Sequence, residues 1–316
     1  MDFVCIDVRI ANTVRICGNA RMFTRFNRTI CALYLLAAAL GTLTCNFMAR
    51  AQSAEPIALR VATFNLRFAS DKKPNSWAER RPVVRACIEE MAPDVMGTQG
   101  GVYPQLKDVA ADLPDYEWIG LGRDGGSRGE FMAIFYRKAR FEPLEYDHFW
   151  LSDTPNVIAS TNWGNTNRRM TTWVRFRERA SGRGFYVFNT HLDHALRSAR
   201  EKGALLIRQR VQEVATNNLP VLLIGDFNAE PGKEKTYDMF LEGDFFADTW
   251  RTARTRRNDD LDTFHNFRGA KKGTFRIDWI LTRGSWECDA NEVVVFSRDN
   301  QFPSDHHPVL ARLRLR

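Results

Sequence analysis

Between Tyr116 and Leu192 five β-forming segments follow one another: YEWIGLG, FMAIFYR, FEPLEYDHFWL, TTWVRFRE and GFYVFNTHL. A chain with such a block must pair many strands at once, and the flanking segments say how. Upstream, IALRVATFNLR is β-branched and apolar, is bounded by Pro56 and reads as a strand ending at Asn65. SWAERRPVVRACIEEMAP follows, with Trp77, Val84, Cys87, Ile88 and Met91 at helical spacing before Pro93. Pro82 falls in the first turns of that helix, where it is tolerated. PDVMGTQGG is a strand running into a loop, and YPQLKDVAADLP a short helix. Downstream, an amphipathic helix spans Leu196 to Asn217, LPVLLIGDFNAEP is a fully apolar strand, and FRIDWILTR, NEVVVFS and PVLARLRL close the chain as strands. Helices alternating with strands at both ends of a strand block predict two packed sheets covered by helices, in one domain over residues 52–316.

At 316 residues and 44% hydrophobic content the chain can bury one large core or two modest ones. The formal charge of +7 is uneven. Residues 1–51 hold Arg9, Arg15, Arg21, Arg25, Arg28 and Arg50 against Asp2 and Asp7, which places +4 of the +7 in that leader. The mildly basic remainder suits an anionic substrate and is weak evidence for nucleic acid. The leader has the layout of a secretory signal peptide: Arg25 and Arg28, an apolar run from Ile30 to Thr44, then a small-x-small site at Ala49-Arg50-Ala51. Met22 is a candidate start. Cleavage is expected, leaving no stable membrane span and a periplasmic or secreted product. Four of the six cysteines lie in the leader. Cys87 and Cys288 remain, either paired in an oxidising compartment or free and buried; they are too few for a Cys-based zinc site.

Polar residues gather where strands end, the place at which loops hold functional groups on a rigid scaffold. In GDFN, Asp226 and Asn228 stand two apart and would face one side of an extended backbone. A carboxylate beside an amide suits a metal-bound nucleophile and a phosphoryl oxygen. FNTHLDH puts Asn189 and His191 on one face by the same rule, and RIDWIL embeds Asp278 in an apolar run, where a carboxylate is costly unless paired. FPSDHHPV adds Asp305, His306 and His307 ahead of a strand. TNRRMTTW sets Arg168 and Arg169 before another, where one could reach a phosphate bidentately. RTARTRR, with Arg251, Arg254, Arg256 and Arg257, is either a grip on further phosphates or a solvated loop balanced by Asp259, Asp260 and Asp262. Singly, each of these also reads as a turn, a cap or a surface charge. Their conjunction at strand ends points to chemistry.

That ordered set resembles the endonuclease/exonuclease/phosphatase superfamily over essentially the whole chain after the leader. GDFN and SDHHPV in this order, with FN, NTHL and IDWIL, carry the resemblance, and WAERRP, FWLSDTP, TNWG and TFHNF are similar to a bacterial branch. It implies an α/β fold of the α+β type: a four-layer sandwich of two mixed β-sheets packed face to face, with helices on both outer sides. It also implies a monomer that hydrolyses a phosphodiester or phosphomonoester by activated water with Mg2+ or Mn2+, nucleic acid being one substrate class among several. On the matching positions, His306 would stand at the scissile phosphate with Asp278 orienting its ring. Asp226 would act on the attacking water, Asn228 would bind water or phosphate, and His191 would hydrogen-bond a phosphoryl oxygen. Asn65 and Asp305 would sit at or near the ion.

One position departs from the pattern. In this superfamily the strand after the first helix typically ends in Gln-Glu, and that glutamate is the principal metal ligand; here Gln99 is followed by Gly100. Glu130 is the nearest replacement by motif logic. The gap also opens an alternative: a phosphate-ligand binding protein on the same fold, without catalysis.

Overall fold

The computed structural model describes residues 3–10, 12–19 and 55–316. The apolar run and cleavage site expected within 22–51 lie outside these residues. The chain divides into two units, Met1–Glu55 and Pro56–Arg316. In the first, β1 (Phe3–Ile10) and β2 (Asn12–Asn19) pair as an antiparallel hairpin.

The second unit contains two sheets. In one, β3 (Ile57–Asn65), β4 (Val95–Val102), β5 (Tyr116–Ile119), β6 (Glu130–Arg137), β12 (Thr255–Arg257), β14 (Trp286–Val293) and β15 (Val309–Leu315) lie in the order β12-β14-β15-β3-β4-β6-β5. In the other, β7 (Phe141–Trp150), β8 (Met170–Glu178), β9 (Gly184–His191), β10 (Val221–Asp226), β11 (Ala247–Asp248) and β13 (Asp278–Arg283) lie in the order β11-β13-β10-β9-β8-β7. Both sheets are mixed: β3 runs parallel to β4 and β9 parallel to β10.

The period of two along each strand builds the layers. Leu59 and Val61 of β3 point into a core between the sheets, where they join Ile134, Val187, Leu222, Ile224 and Leu313. Their neighbours Ala62 and Phe64 face the other way, onto α1 (Trp77–Met91) and α2 (Tyr103–Asp112). On the far side, Val221, Leu223 and Leu281 meet Ala204, Ile207 and Val211 of α3 (Arg197–Val214) and Phe240 of α4 (Lys235–Leu241). The result is helix, sheet, sheet, helix. Truncating an inter-sheet residue such as Leu222 to alanine costs about 2–5 kcal/mol by loss of transfer energy and a residual cavity. The first helix starts on a capping box, Ser76 accepting from the Glu79 N–H while the Glu79 carboxylate accepts from the Ser76 N–H.

Three details differ from the sequence reading. NEVVVFS is not a strand throughout: β14 begins at Trp286 and stops at Val293, because the next N–H, of Val294, leaves the ladder for the Pro308 carbonyl. The seven-residue α4, the two-residue β11, the short α5 (Thr249–Thr252) and β12 were not predicted, being too short to show a period. Cys87 lies in the helix-side core and Cys288 in the inter-sheet core, and both are free, so the paired alternative is excluded. Among the described residues no helix is long and apolar enough to cross a membrane.

Candidate active site

Strand register assembles the site before any side chain is considered. Asp226, the last residue of β10, stands beside His191 at the end of β9 on one flank and beside Asp278 at the start of β13 on the other. The glycine of GDFN is required for this. A Cβ on Gly225 would lie 2.2 Å from the Thr190 carbonyl oxygen, so no larger residue lets β10 sit against β9 at that level. In the opposite sheet Asn65 ends β3 next to Gln99 on β4. Gln99 stitches the sheets together: its Nε2 donates to Asn189 Oδ1 at 2.7 Å, and Asn189 Nδ2 donates to the carbonyls of Thr98 and Ala133 at 2.9 Å each. Asn189 shares a face with His191, as expected, but its amide is used in holding the sheets together.

These strand ends floor a cleft of about 450 Å³. His306 Nδ1 donates to Asp278 Oδ2 at 2.9 Å, and its Nε2 faces Asp226 Oδ2 at 3.9 Å. His191 Nε2 lies 3.3 Å from the same Asp226 oxygen, which also accepts from Asn65 Nδ2 at 2.9 Å. Burial alone would lower the pKa of His306, but the charge and hydrogen bond of Asp278, with Asp226 and Asp305 behind them, outweigh it and lift the group to about 10. It is an imidazolium at neutral pH. Burial, then the charge of Asp278, raises Asp226 to about 6 against the opposing pull of His306, Asn65 and the Asn228 N–H. His191 goes the other way: burial, then Arg169, Arg123 and His306, push it well below the ordinary histidine range, so it is neutral. Its Nδ1 is buried without a partner.

The remaining expected residues are placed as follows. Asn228 lines the cleft, but not through extended backbone: β10 has ended, Asn228 has φ +48°, and its N–H closes a turn onto Asp226 Oδ1 at 2.9 Å while its amide donates to the Leu192 carbonyl. Asp305 lines the cleft too, its Oδ1 accepting from Ser304 Oγ at 3.3 Å. Arg169 is a buried cleft residue beside His194, whereas Arg168 turns away to a surface pair with Asp124 at 3.1 Å. Glu130 lines the opposite wall, paired with Arg123 at 2.8 Å and 4.0 Å from His191 Nδ1. None of Arg251, Arg254, Arg256 and Arg257 lines the cleft; Arg254 pairs with Glu287 at 3.2 Å. His307 stacks on His265, with ring centroids 4.0 Å apart. Sequence reasoning missed Arg67, Phe68, Arg123, His194, Phe264 and Phe275, all of which line the cleft.

Gly100 is more than a missing side chain. Its φ is +71°, and a Cβ built there would lie 2.6 Å from Asn65 Oδ1. The direction in which an acid would project is therefore toward Asn65, into the corner it shares with Asp305. That corner offers oxygen donors only, which suits a hard divalent ion. It contains one carboxylate, however, and Arg67 Nη1 faces it at 3.7 Å. Among the described residues, the acid and histidine ligand atoms that gather within 4.8 Å are those of Asp226, Asp278 and His306, without Asp305 or Glu130. One carboxylate and one amide oxygen are too few ligands for the protein alone to hold an ion in that corner.

A two-sheet sandwich with an Asp–His pair and an acid at the strand ends defines a class, and comparison agrees. The profile of the Endonuclease/Exonuclease/phosphatase family matches residues 62–306, and the chain belongs to that family. Members of the family are phosphoesterases and nucleases that generally depend on divalent metal. Among solved structures, an endonuclease/exonuclease/phosphatase family protein from Bacteroides thetaiotaomicron is 33% identical with a TM-score of 0.78, covering 83% of this chain and 100% of its own. A mannosyl-6-phosphatase from the same organism is 34% identical with a TM-score of 0.76, covering 81% and 99%. An uncharacterized protein of Acanthamoeba polyphaga mimivirus is 29% identical over 175 residues, which span 53% of this chain and 63% of that protein.

Proposed function

We propose that this protein hydrolyses a small phosphate ester, a phosphomonoester before a phosphodiester, by direct attack of water. The observation that carries the reading is the line Asp278–His306–Asp226 on the cleft floor, with hydrogen-bond and ion-pair distances of 2.9 and 3.9 Å. A carboxylate lifted to about 6 is matched to taking a proton near neutral pH. His306, kept charged by Asp278, has Nε2–H free for a phosphoryl oxygen, where it offsets developing charge. Water forms the new P–O bond, its proton goes to Asp226, the bond to the alcohol breaks, and the departing oxygen takes a proton from solvent. Mg2+ or Mn2+ would be held here by Asn65, Asp305 and the substrate's own oxygens, and would supply charge neutralisation.

The cleft volume is that of a small-molecule site, and the arginine run Arg251–Arg257 lies away from it, which favours a small ester over nucleic acid. The similarity to a mannosyl-6-phosphatase supports a phosphorylated sugar as the first class to try. The leader's composition supports export to the periplasm or beyond. A second reading, a non-catalytic phosphate-binding protein, is favoured by Gly100 and the guanidinium facing Asp305.

The deciding experiment is turnover of an aryl phosphomonoester and of a sugar 6-phosphate with Mg2+ or Mn2+, using His306→Ala as background. The expected rate climbs with pH through about 6 as Asp226 ionises and declines toward about 10 as His306 loses its proton. Tight phosphate binding with no turnover of any ester would establish the second reading instead.

A further inference from the structure

Three arginines line the cleft, and two of them are largely buried. Arg123 is held by Glu130 at 2.8 Å with 14% of its side chain exposed. Arg169 is 5% exposed; its Nη2 lies 3.0 Å from His194 Nδ1, and its Nε is buried without a partner, 3.8 Å from Asp193. Arg67 is different: 49% of its side chain is exposed, and the one polar contact of its guanidinium among the described residues is the 3.7 Å approach to Asp305 Oδ2. That distance is too long for a hydrogen bond, so the donors of the fork are spare.

Its backbone is nevertheless built with care. Arg67 has φ +54°, a conformation that costs an L-residue energy. Three bonds hold it there. Its N–H donates to Asn65 Oδ1 at 2.9 Å, and its carbonyl accepts from Gln105 Nε2 at 2.9 Å and Arg80 Nη2 at 3.2 Å. Its guanidinium rests over the Phe68 ring, 4.3 Å from the centroid, which limits its sweep. Strain at one residue, fixed by neighbours and carrying a half-exposed cation at the cleft wall, is an outlier that points to function.

We infer that Arg67 binds the phosphate of the substrate directly, supplying at the Gly100 corner the positive charge that a carboxylate-held ion would otherwise bring, so that the cleft takes up phosphate without metal. The inference rests on the phosphate-ester reading of the cleft. A planar guanidinium matches two phosphate oxygens at once. Asp226 and Asp305 would otherwise repel a phosphate dianion, and the His306 ring is already placed between Asp278 at 2.9 Å and Asp226 at 3.9 Å.

The test is calorimetric titration of inorganic phosphate in EDTA into wild type, Arg67→Ala and Arg67→Lys, with Arg168→Ala as the control on a surface pair. Wild type and Arg168→Ala are expected to bind alike, Arg67→Ala to bind about 10- to 100-fold more weakly, the span of a lost charged hydrogen bond, and Arg67→Lys to fall between, having charge without the fork. Should Arg67→Ala unfold, the lysine variant decides. Binding in EDTA that is indifferent to both Arg67 variants overturns the inference and leaves the phosphate reading intact. Binding that needs added Mn2+ also overturns it, since the ion would then bring the charge. No phosphate binding with or without Mn2+ overturns the phosphate reading itself.

Discussion

Gly100→Glu restores the acid that the superfamily pattern expects, yet the backbone has adapted to its absence. At φ +71° an L-residue is disfavoured by about 1–2 kcal/mol. The new Cβ would stand 2.6 Å from Asn65 Oδ1, so Asn65 must shift. That shift strains its acceptance from the Arg67 N–H and its donation to Asp226, both at 2.9 Å, each worth about 1 kcal/mol. The sum is roughly 3–4 kcal/mol, which for a unit of this size lowers Tm by roughly 6–16 °C in EDTA. With two carboxylates in the corner, the introduced one and that of Asp305, the variant should then bind Mn2+; at a hundredfold excess over Kd this returns about 2.7 kcal/mol. Thermal unfolding in EDTA and in millimolar Mn2+, without phosphate, checks both halves. The variant should unfold early in EDTA and recover most of the difference with Mn2+, while wild type is unmoved by the ion. Equal stabilisation of wild type would refute the account of the corner, and a variant as stable as wild type in EDTA would refute the account of the backbone.

Two further predictions concern buried charge. In Asp278→Asn, burial acts on His306 with less opposition, and ring NMR should find it titrating far below about 10. The sign follows: a raised folded pKa contributes stability that is full below about 6.5 and is lost as pH rises through about 10, so the variant should lose that pH dependence, together with about 3–5 kcal/mol from a broken buried pair. Arg80 is fully buried and donates to the carbonyls of Leu66, Arg67, Phe68, Asn75 and Pro303. Arg80→Met should lower the urea midpoint by the equivalent of about 3 kcal/mol or more, because several buried acceptors lose their donor.

What was legible in the sequence was what local pattern encodes. Apolar runs located the strands, and polar residues at their ends located Asn65, His191, Asp226, Asp278, Asp305 and His306 along one edge of the fold. What was hidden depends on contacts distant in sequence or on conformations that residue type does not announce. Arg123 and Phe264 reach the cleft from loops, Arg67 through a left-handed backbone fixed by Gln105 and Arg80, and Asn228 through a turn where extended chain was assumed. Arg168 and Arg169 illustrate the limit most simply. They lie in the irregular segment just before β8, where no periodicity tells which of the two turns into the cleft.

The row His191–Asp226–Asp278 has one more consequence. Because the three are lateral partners on hydrogen-bonded strands, their spacing is set by the ladder, about 4.8 Å from chain to chain. The peptide backbone is the ruler, and the side chains are marks on it. The loops above can be rebuilt around another ligand while the distance from Asp226 to Asp278 stays fixed, as the teeth of a comb keep their gap whatever is drawn through them.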